Sequence, residues 1–497
     1  MNKHKIVTLF VIPLLLGGLT SCGEKTSSSP SNTSSSTSSD SDTITIQFWE
    51  TFGKGISDEM TKASETFASI IKENEGVNVK IVFSYQGGYD DLLGKVNKSF
   101  ATGTQPTITV AYPDHVAEYL ADEGSTAGKY VINLDDYASD SKVGFGKESY
   151  LLDGAQSDFV QSFYEEGQQY TRDGTYSLPL MKSTEVMLYN VDAIDAFAAK
   201  YDSTLNSSEK VNKFLNGLTW DQFMTFCQFI VNNKTEVLGS NSKLEWPAFY
   251  DSDSNLFITD SMQNNIPFVS LNADKTGSAD FNNDQSKAMV TKLKGYYDKK
   301  LFSTKGISGV YGSQYFQQAQ TLFSIGSTGG SGYSAPSGQA FTVGVARVPA
   351  FNSANAEYVS QGLSLCMLKA KDDTDGLKAK YGWKFLKYIT STDLNMRLCV
   401  RGSEGYVPVR ESSYLTDSYA SLVDSGDMTL GEEYDYIGKV YDVVHNDIAG
   451  KYYNTACFKG TATARDAVGG IISQVCLGTK TIDTAFADAL NQTQLAM

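Results

Sequence analysis

The sequence predicts an α/β fold in which mainly parallel strands are covered by helices. Residues 43–48 alternate apolar and polar side chains, an apolar helical stripe follows as far as Ile71, and residues 77–83 alternate again. A second helical stripe then leads to a third strand pattern at residues 108–111. Because strand–helix–strand units place their strands side by side, this order favours a parallel sheet with helices on both faces.

The first 42 residues have the composition of an export signal followed by a flexible tether. Two lysines precede an apolar run, residues 6–16, that is too short to cross a bilayer. Residues 23–42 are rich in serine and hold no large apolar side chain, so they cannot bury enough surface to offset the entropy of ordering. We therefore predict a signal peptide over residues 1–21 and a tether over residues 22–42.

The residues before the tether resemble the lipobox of bacterial lipoproteins. Residues 19–22 read Leu-Thr-Ser-Cys and follow two glycines. The resemblance implies that Cys22 is acylated and becomes the first residue of the mature chain, anchored to the extracytoplasmic face of the cell membrane. The alternative is an ordinary cleaved signal in which Cys22 has no role.

Charge and cysteine content exclude several kinds of partner. The net charge is −16, which disfavours nucleic acid and anionic lipid surfaces. Five cysteines follow Cys22, and none of them form a C-x-x-C pair or another metal-binding spacing. We expect no metal and no cofactor, and a bridge between Cys457 and Cys476 stays open. The cysteines whose disulfide state is open are Cys227, Cys366, Cys399, Cys457 and Cys476.

Aromatic and polar residues follow the first three predicted strands. They are Trp49 with Glu50, residues 85–89, and residues 112–114. In open parallel sheets, ligands bind outside the carboxyl ends of the strands, so these clusters predict the rim of a pocket. The alternative is that the loop aromatics only cover helix ends.

Three later segments predict a crossing between lobes, the start of a helix and a glycine-rich loop. Residues 177–190 contain two strand-like halves and are long enough to cross from one lobe to another. Thr219 and Gln222 form a capping box at the start of a helix. The glycine-rich residues 326–333 lack the order of a nucleotide-binding loop, and they indicate either backbone contacts to a ligand or a flexible hairpin loop.

Six short motifs, in order along nearly the whole mature chain, resemble those of extracellular solute-binding protein family 1. That family serves ABC importers and includes carbohydrate-binding and glycerol-3-phosphate-binding proteins. The motifs are Phe48-Trp49, YQGGY at 85–89, GTQP at 103–106, the strand from Leu178-Pro179 to Tyr189-Asn190, LTW at 218–220, and GYVPV at 405–409.

The resemblance implies a type II periplasmic-binding-protein-like fold of two lobes, each a mainly parallel sheet flanked by helices, joined by hinge strands. Lobe one is expected at residues 43–182 and 321–369, and lobe two at residues 183–320 and 370–497. A monomer is expected to close on a sugar or polyol in the cleft and to deliver it to the membrane subunits of an ABC permease. Glycerol phosphate is the less favoured ligand.

The same resemblance, with the strand-end clusters and the glycine-rich loop, gives the candidate ligand-binding residues. They are Trp49, Glu50, Tyr89, Asp114, Ser183, Ser331, Tyr333, Gly362 and Tyr406.

The chain departs from the glycerol-phosphate branch at several pocket positions. Asp251 and Ser254 stand where that branch has two tryptophans, and Lys459 is the candidate substitute for its phosphate-binding arginine. The rim loops also contain carboxylates, among them Glu404, which would repel a phosphate dianion. These departures favour a neutral sugar or polyol.

Two other functions stay open. One is a surface glycan-binding lipoprotein that serves no transporter. The other is a surface glycoside hydrolase, which needs two carboxylates at a defined separation. Among so many acidic residues no pair is distinctive, and the predicted mature chain has only His115 and His445 for a histidine-based triad, so we expect no enzyme.

Overall fold

The computed structural model describes residues 43–124, 126, 128–401, 405–417, 419 and 436–497. The predicted signal, Cys22, the tether and Glu404 lie outside the described residues. The strands are β1 Thr43–Glu50, β2 Asn78–Tyr85, β3 Ile108–Ala111, β4 Leu178–Ser183, β5 Glu185–Asn190, β6 Trp246–Tyr250, β7 Val269–Leu271, β8 Gly277–Ala279, β9 Phe302–Thr304, β10 Thr321–Ser327, β11 Val343–Arg347, β12 Tyr358–Val359, β13 Gln361–Met367 and β14 Tyr452–Tyr453.

Helices surround these strands throughout the described part of the chain. The α-helices are Lys54–Glu75, Tyr89–Thr102, Pro113–Asp122, Asp135–Ala138, Gln161–Glu166, Val191–Tyr201, Ser208–Gly217, Trp220–Leu238, Asp253–Gln263, Asp284–Asp298, Lys305–Ser308, Gly312–Gln317, Leu377–Ile389, Thr392–Arg401, Tyr436–Val443, Thr461–Cys476 and Ile482–Ala496. Short 3-10 helices include Thr328–Ser334, which replaces most of the predicted glycine-rich loop.

The strands form two five-stranded sheets of similar design. The first sheet has the order β2-β1-β3-β13-β4, and β13 alone runs against the other four strands. The second sheet has the order β11-β5-β10-β6-β9, and β5 alone runs against its neighbours. Two short pairs of strands lie apart from both sheets: β7 and β8 are antiparallel, and β12 and β14 are parallel. The prediction of mainly parallel sheets flanked by helices is confirmed.

The predicted crossing segment is also confirmed. Strand β4 lies at the edge of the first sheet, and after the single residue Thr184 the chain enters β5 of the second sheet. All six residues of each strand are buried, including the polar residues on either side of Thr184.

Sheet membership differs from the predicted division at residues 321–347. Strands β10 and β11 pair with β5 and β6, so this segment belongs to the second sheet rather than the first. The helix Leu377–Ile389 packs on β1 and β13 of the first sheet. Sequence pattern could not reveal this exchange, because both sheets use the same alternation of strand and helix.

Local signals place several helix ends correctly. Thr219 and Gln222 form the predicted capping box at the start of Trp220–Leu238. The backbone N–H of Gln222 donates to the Thr219 hydroxyl, and the backbone N–H of Thr219 donates to the Gln222 side chain. The five cysteines of the described residues are all free and buried, so Cys457 and Cys476 are not bridged. Among the described residues, no helix combines the length and the apolarity needed to cross a membrane.

Candidate functional site

A cavity of about 1490 Å³ lies where the strand ends of both sheets face each other. On the first sheet it is lined by residues 51–53 after β1, by Tyr85 at the end of β2, and by Gln361 at the start of the reversed strand β13. This is the carboxyl edge of the parallel strands, where the sequence predicted a pocket rim.

The second sheet contributes the opposite wall in the same manner. Glu185 begins the reversed strand β5, residues 326–327 end β10, Asp251 follows β6, and Lys305 follows β9. Strand register aligns these positions, since Glu185 pairs with Ser327 and Tyr250 pairs with both Ile325 and Thr304. Both sheets therefore present their equivalent edges to one cavity.

Four of the predicted ligand-binding residues line this cavity: Tyr89, Ser331, Tyr333 and Tyr406. Tyr89 begins the helix Tyr89–Thr102, and its ring stacks on Tyr112 at 4.3 Å between centroids. Ser331 is buried, and its hydroxyl has no hydrogen-bond partner within the described residues. An unpartnered buried hydroxyl in a cavity wall is suited to bind a polar ligand atom.

Trp49 and Glu50 lie behind the wall rather than in it. Trp49 packs against the hydrophobic core, and Glu50 is buried at the end of β1. The Glu50 carboxylate accepts a hydrogen bond from the backbone N–H of Phe52 at 2.5 Å, and burial raises the pKa of Glu50. Both residues support the turn whose next three residues line the cavity.

Asp114 does not line the cavity, but it contacts Arg465, which does. It belongs to the helix Pro113–Asp122, and its Oδ2 lies 3.9 Å from Nε of Arg465. Asp114 therefore holds a positively charged wall residue instead of facing the cavity itself.

Ser183 and Gly362 pack against each other where the chain crosses between the sheets. Ser183 is buried at the end of β4, and neither residue is among those that line the cavity. Gly362 has φ of +100°, and a side-chain carbon there would lie 2.6 Å from the carbonyl oxygen of Met181. The glycine is needed for the backbone path and the close approach of β13 to β4.

A polar cluster that no sequence motif predicts joins the two walls. Nδ2 of Asn255 donates to Oε1 of Glu185 at 2.9 Å and to Oε1 of Gln361 at 3.0 Å. Oδ1 of Asn255 accepts from Nη2 of Arg465 at 2.8 Å. All four side chains line the cavity. No local motif marks them, because Asn255 and Arg465 are 210 residues apart in the chain.

The carboxyl groups of the second wall ionise less readily than ordinary carboxylates. Burial raises the pKa of Glu185 to about 7, against hydrogen bonds from Tyr250 and Asn255 that lower it. Burial likewise raises the pKa of Asp251 to about 6, although the backbone N–H of Gly312 donates to it. These groups can accept hydrogen bonds as carboxylates or donate one as neutral acids near neutral pH.

Three tyrosines present unusually exposed rings to the cavity. Tyr85 is 66% exposed, Tyr311 is 49% exposed and Tyr333 is 62% exposed. Tyr85 belongs to the first sheet, and the other two belong to segments beside β9 and β10 of the second sheet. Exposed aromatic faces on both walls are suited to contact a ring-shaped ligand.

The charged wall residues are more often acidic than basic. Glu185, Asp251 and Asp253 line the cavity beside β5 and β6, and Asp466 lines it from a late helix. Lys305 and Arg465 are the basic residues of the lining. The predicted phosphate substitute does not line the cavity: Lys459 is instead an electrostatic neighbour of Glu118 and Asp122.

Comparison with known families gave one match that covers most of the chain. Residues 64–425 match the model described as bacterial extracellular solute-binding protein. Comparison with curated protein sequences gave no match.

Many solved structures share the fold at low sequence identity. The GacH receptor of Streptomyces glaucescens, solved unliganded and with acarbose, is 17% identical with a TM-score of 0.60, covering 91% of this chain and 98% of that one. UgpB of Mycobacterium tuberculosis with glycerophosphocholine is 15% identical with a TM-score of 0.64 and the same coverage.

A third structure, the cyclic α-maltosyl-1,6-maltose binding protein of Arthrobacter globiformis, is 15% identical with a TM-score of 0.61. It too covers 91% of this chain and 98% of that one. Together these likenesses confirm the predicted type II periplasmic-binding-protein-like fold.

Proposed function

We propose that this chain, which belongs to the family of bacterial extracellular solute-binding proteins, captures a neutral carbohydrate or polyol and delivers it to an ABC importer. The supporting observation is the cavity between equivalent edges of two sheets, with exposed tyrosines and hydrogen-bonding side chains on its walls. A ligand that contacts both walls favours their approach, so binding is coupled to closure of the cleft. The permease subunits then recognise the closed form.

The chemistry of the walls fits a sugar. A pyranose ring has an apolar face of C–H groups, which packs on tyrosine rings such as Tyr85 and Tyr333. Its hydroxyls both donate and accept, which matches the carboxylate, amide and guanidinium groups around Asn255. The same groups fit a polyol through the hydroxyls alone.

The charge of the walls disfavours a phosphate ester. Carboxylates such as Asp251 and Asp466 outnumber the two basic residues, Lys305 and Arg465, and Arg465 is already bonded to Asn255 and paired with Asp114. A dianion would need several unengaged donors to offset this repulsion. The acarbose complex of one similar protein and the name of another, a cyclic α-maltosyl-1,6-maltose binding protein, support the carbohydrate class. The glycerophosphocholine complex of a third makes a phosphodiester the competing class.

A thermal-shift screen tests the ligand class. We expect at least one neutral carbohydrate or polyol to raise the melting temperature, because ligand at 100 times its dissociation constant adds about 2.7 kcal/mol to stability. Glycerol 3-phosphate and glycerophosphocholine should give no comparable shift. A shift produced by the phosphate compounds and by no sugar or polyol would contradict the proposal. Absence of product after incubation with each binding glycan would separate binding from hydrolysis.

We also propose that the protein is held at the membrane through acylated Cys22. The proposal rests on the Leu-Thr-Ser-Cys segment and the serine-rich residues after it. Wild type should fractionate with membranes, and Cys22→Ala should be recovered from the soluble fraction outside the cytoplasm. Equal partition of the two proteins would mean that this cysteine is not the anchor.

Sheet membership leads us to propose new lobe boundaries. Lobe one then comprises residues 43–183 with residues 361–401, and lobe two comprises residues 185–347 with residues 461–496. The helix Thr461–Cys476 belongs to lobe two because it packs on Asp253–Gln263.

A further inference from the structure

We propose that the cavity binds an oligosaccharide of at least three units, and that Tyr85 and Tyr311 form an outer subsite. The inference rests on the proposed carbohydrate function and goes further by assigning ligand length. It follows from the extent of the cavity along the sheets, from the position of the polar cluster, and from the two exposed rings.

The cavity runs across most of the width of both sheets. On the first sheet, its lining extends from Gln361 on β13 to Tyr85 on β2, with β3 and β1 between them. On the second sheet, it extends from Glu185 on β5 to Lys305 after β9, with β10 and β6 between them. Each wall spans three interstrand spacings, which together measure about 14 Å.

The two ends of this span differ in chemistry. Gln361 and Glu185 meet at the inner end, where Asn255 and Arg465 complete the polar cluster. Tyr85 ends the edge strand β2, and the Tyr311 ring contacts Lys305, which follows the edge strand β9, so both rings lie toward the outer end.

A single sugar cannot occupy both ends at once. A pyranose ring is about 5 Å long, close to one interstrand spacing. A monosaccharide bound to Asn255 and Arg465 would therefore leave the rings of Tyr85 and Tyr311 in water. A chain of three or more units reaches from the polar cluster to both rings.

The volume supports the same conclusion. Pockets that enclose drug-sized ligands measure about 300–1,000 Å³, and this cavity measures about 1490 Å³. Before the walls close, this space has room for several sugar rings.

Lys305 contacts the ring of Tyr311. Nζ of Lys305 donates to the Tyr311 hydroxyl at 2.8 Å and also lies 4.1 Å from the centre of the ring. These contacts favour one orientation of the ring before ligand binds, which reduces the entropy cost of stacking.

Titration calorimetry with linear malto-, cello-, xylo-, manno- and fructo-oligosaccharides of one to six units tests the inference. In at least one series, we expect the tetrasaccharide to bind at least about tenfold more tightly than the disaccharide, because further rings stack and become buried. Tyr85→Ala and Tyr311→Ala should reduce that ratio, and Tyr311→Phe, which keeps the ring but loses the bond from Lys305, should reduce it less than Tyr311→Ala does. Leu495→Ala, which removes an exposed side chain outside the cavity lining, is the control.

Two results would overturn the inference while leaving the carbohydrate function intact. One is a monosaccharide that binds as tightly as the longest member of its series. The other is a length dependence that neither tyrosine variant changes. If no sugar or polyol binds at all, the proposed function fails and the inference fails with it.

Discussion

Replacing Lys182 by methionine is expected to lower the free energy of unfolding by about 3–5 kcal/mol. Nζ of Lys182 donates to Oε2 of Glu166, and both side chains are almost completely buried. Removing the lysine leaves the Glu166 carboxylate buried without its charged partner. The effect matters for the cleft, because Lys182 lies in β4, three residues before the chain enters the second sheet at Glu185.

A double-mutant cycle of Lys182 and Glu166, measured by urea unfolding, tests this prediction. Glu166→Met should be destabilising by a similar amount, while the double variant should recover much of the loss, because an apolar pair needs no desolvation of charge. Lys54→Met, which removes the exposed pair with Asp58, should cost less than about 1 kcal/mol. Single variants as stable as wild type would show that the buried charges are not mutually dependent.

Replacing Glu185 by glutamine is expected to make the folded protein less sensitive to rising pH. The pKa of Glu185 is about 7 in the folded chain and has an ordinary value of 4.5. Between those values the folded state holds more protons than the unfolded state, so stability falls as pH rises. The contribution of the protonated group is fully present below pH 4.5 and is lost as pH rises through 7.

The expected magnitude follows from that interval. Between pH 4 and pH 8, the free energy of unfolding of wild type should fall by about 3 kcal/mol more than that of Glu185→Gln. The amide keeps an acceptor for Asn255, and the Tyr250 hydroxyl can accept from its NH₂ group. Urea unfolding across this pH range measures the shift, with the exposed Glu65→Gln as control. Parallel pH profiles for wild type and Glu185→Gln would contradict the assignment.

Local chemistry made much of the fold predictable. The capping box of Thr219 and Gln222 predicted the start of the helix Trp220–Leu238, because its hydrogen bonds are local. The crossing segment was predictable because residues 177–190 contain two strand-like halves, which form β4 and β5 on either side of Thr184. The carboxyl edge of the parallel strands likewise located the cavity and placed Tyr89 in its wall, whereas Tyr406 was predicted from the family resemblance.

What the sequence could not show depends on distant contacts. Asn255 meets Arg465 and Gln361 only because two sheets bring their edges together, and nothing near these residues in the chain marks that meeting. The exchange of β10 and β11 between the predicted lobes has the same origin. Gly362 was predicted as a ligand contact, but its position reflects the need for positive φ beside β4.

The most direct test of the central claim is a crystal structure with the tightest-binding carbohydrate from the screen. We expect ligand density in the cavity, in contact with residues of both sheets. The ligand should form hydrogen bonds with the cluster of Glu185, Asn255, Gln361 and Arg465. Density bound outside this cavity, or touching the residues of one sheet only, would contradict it.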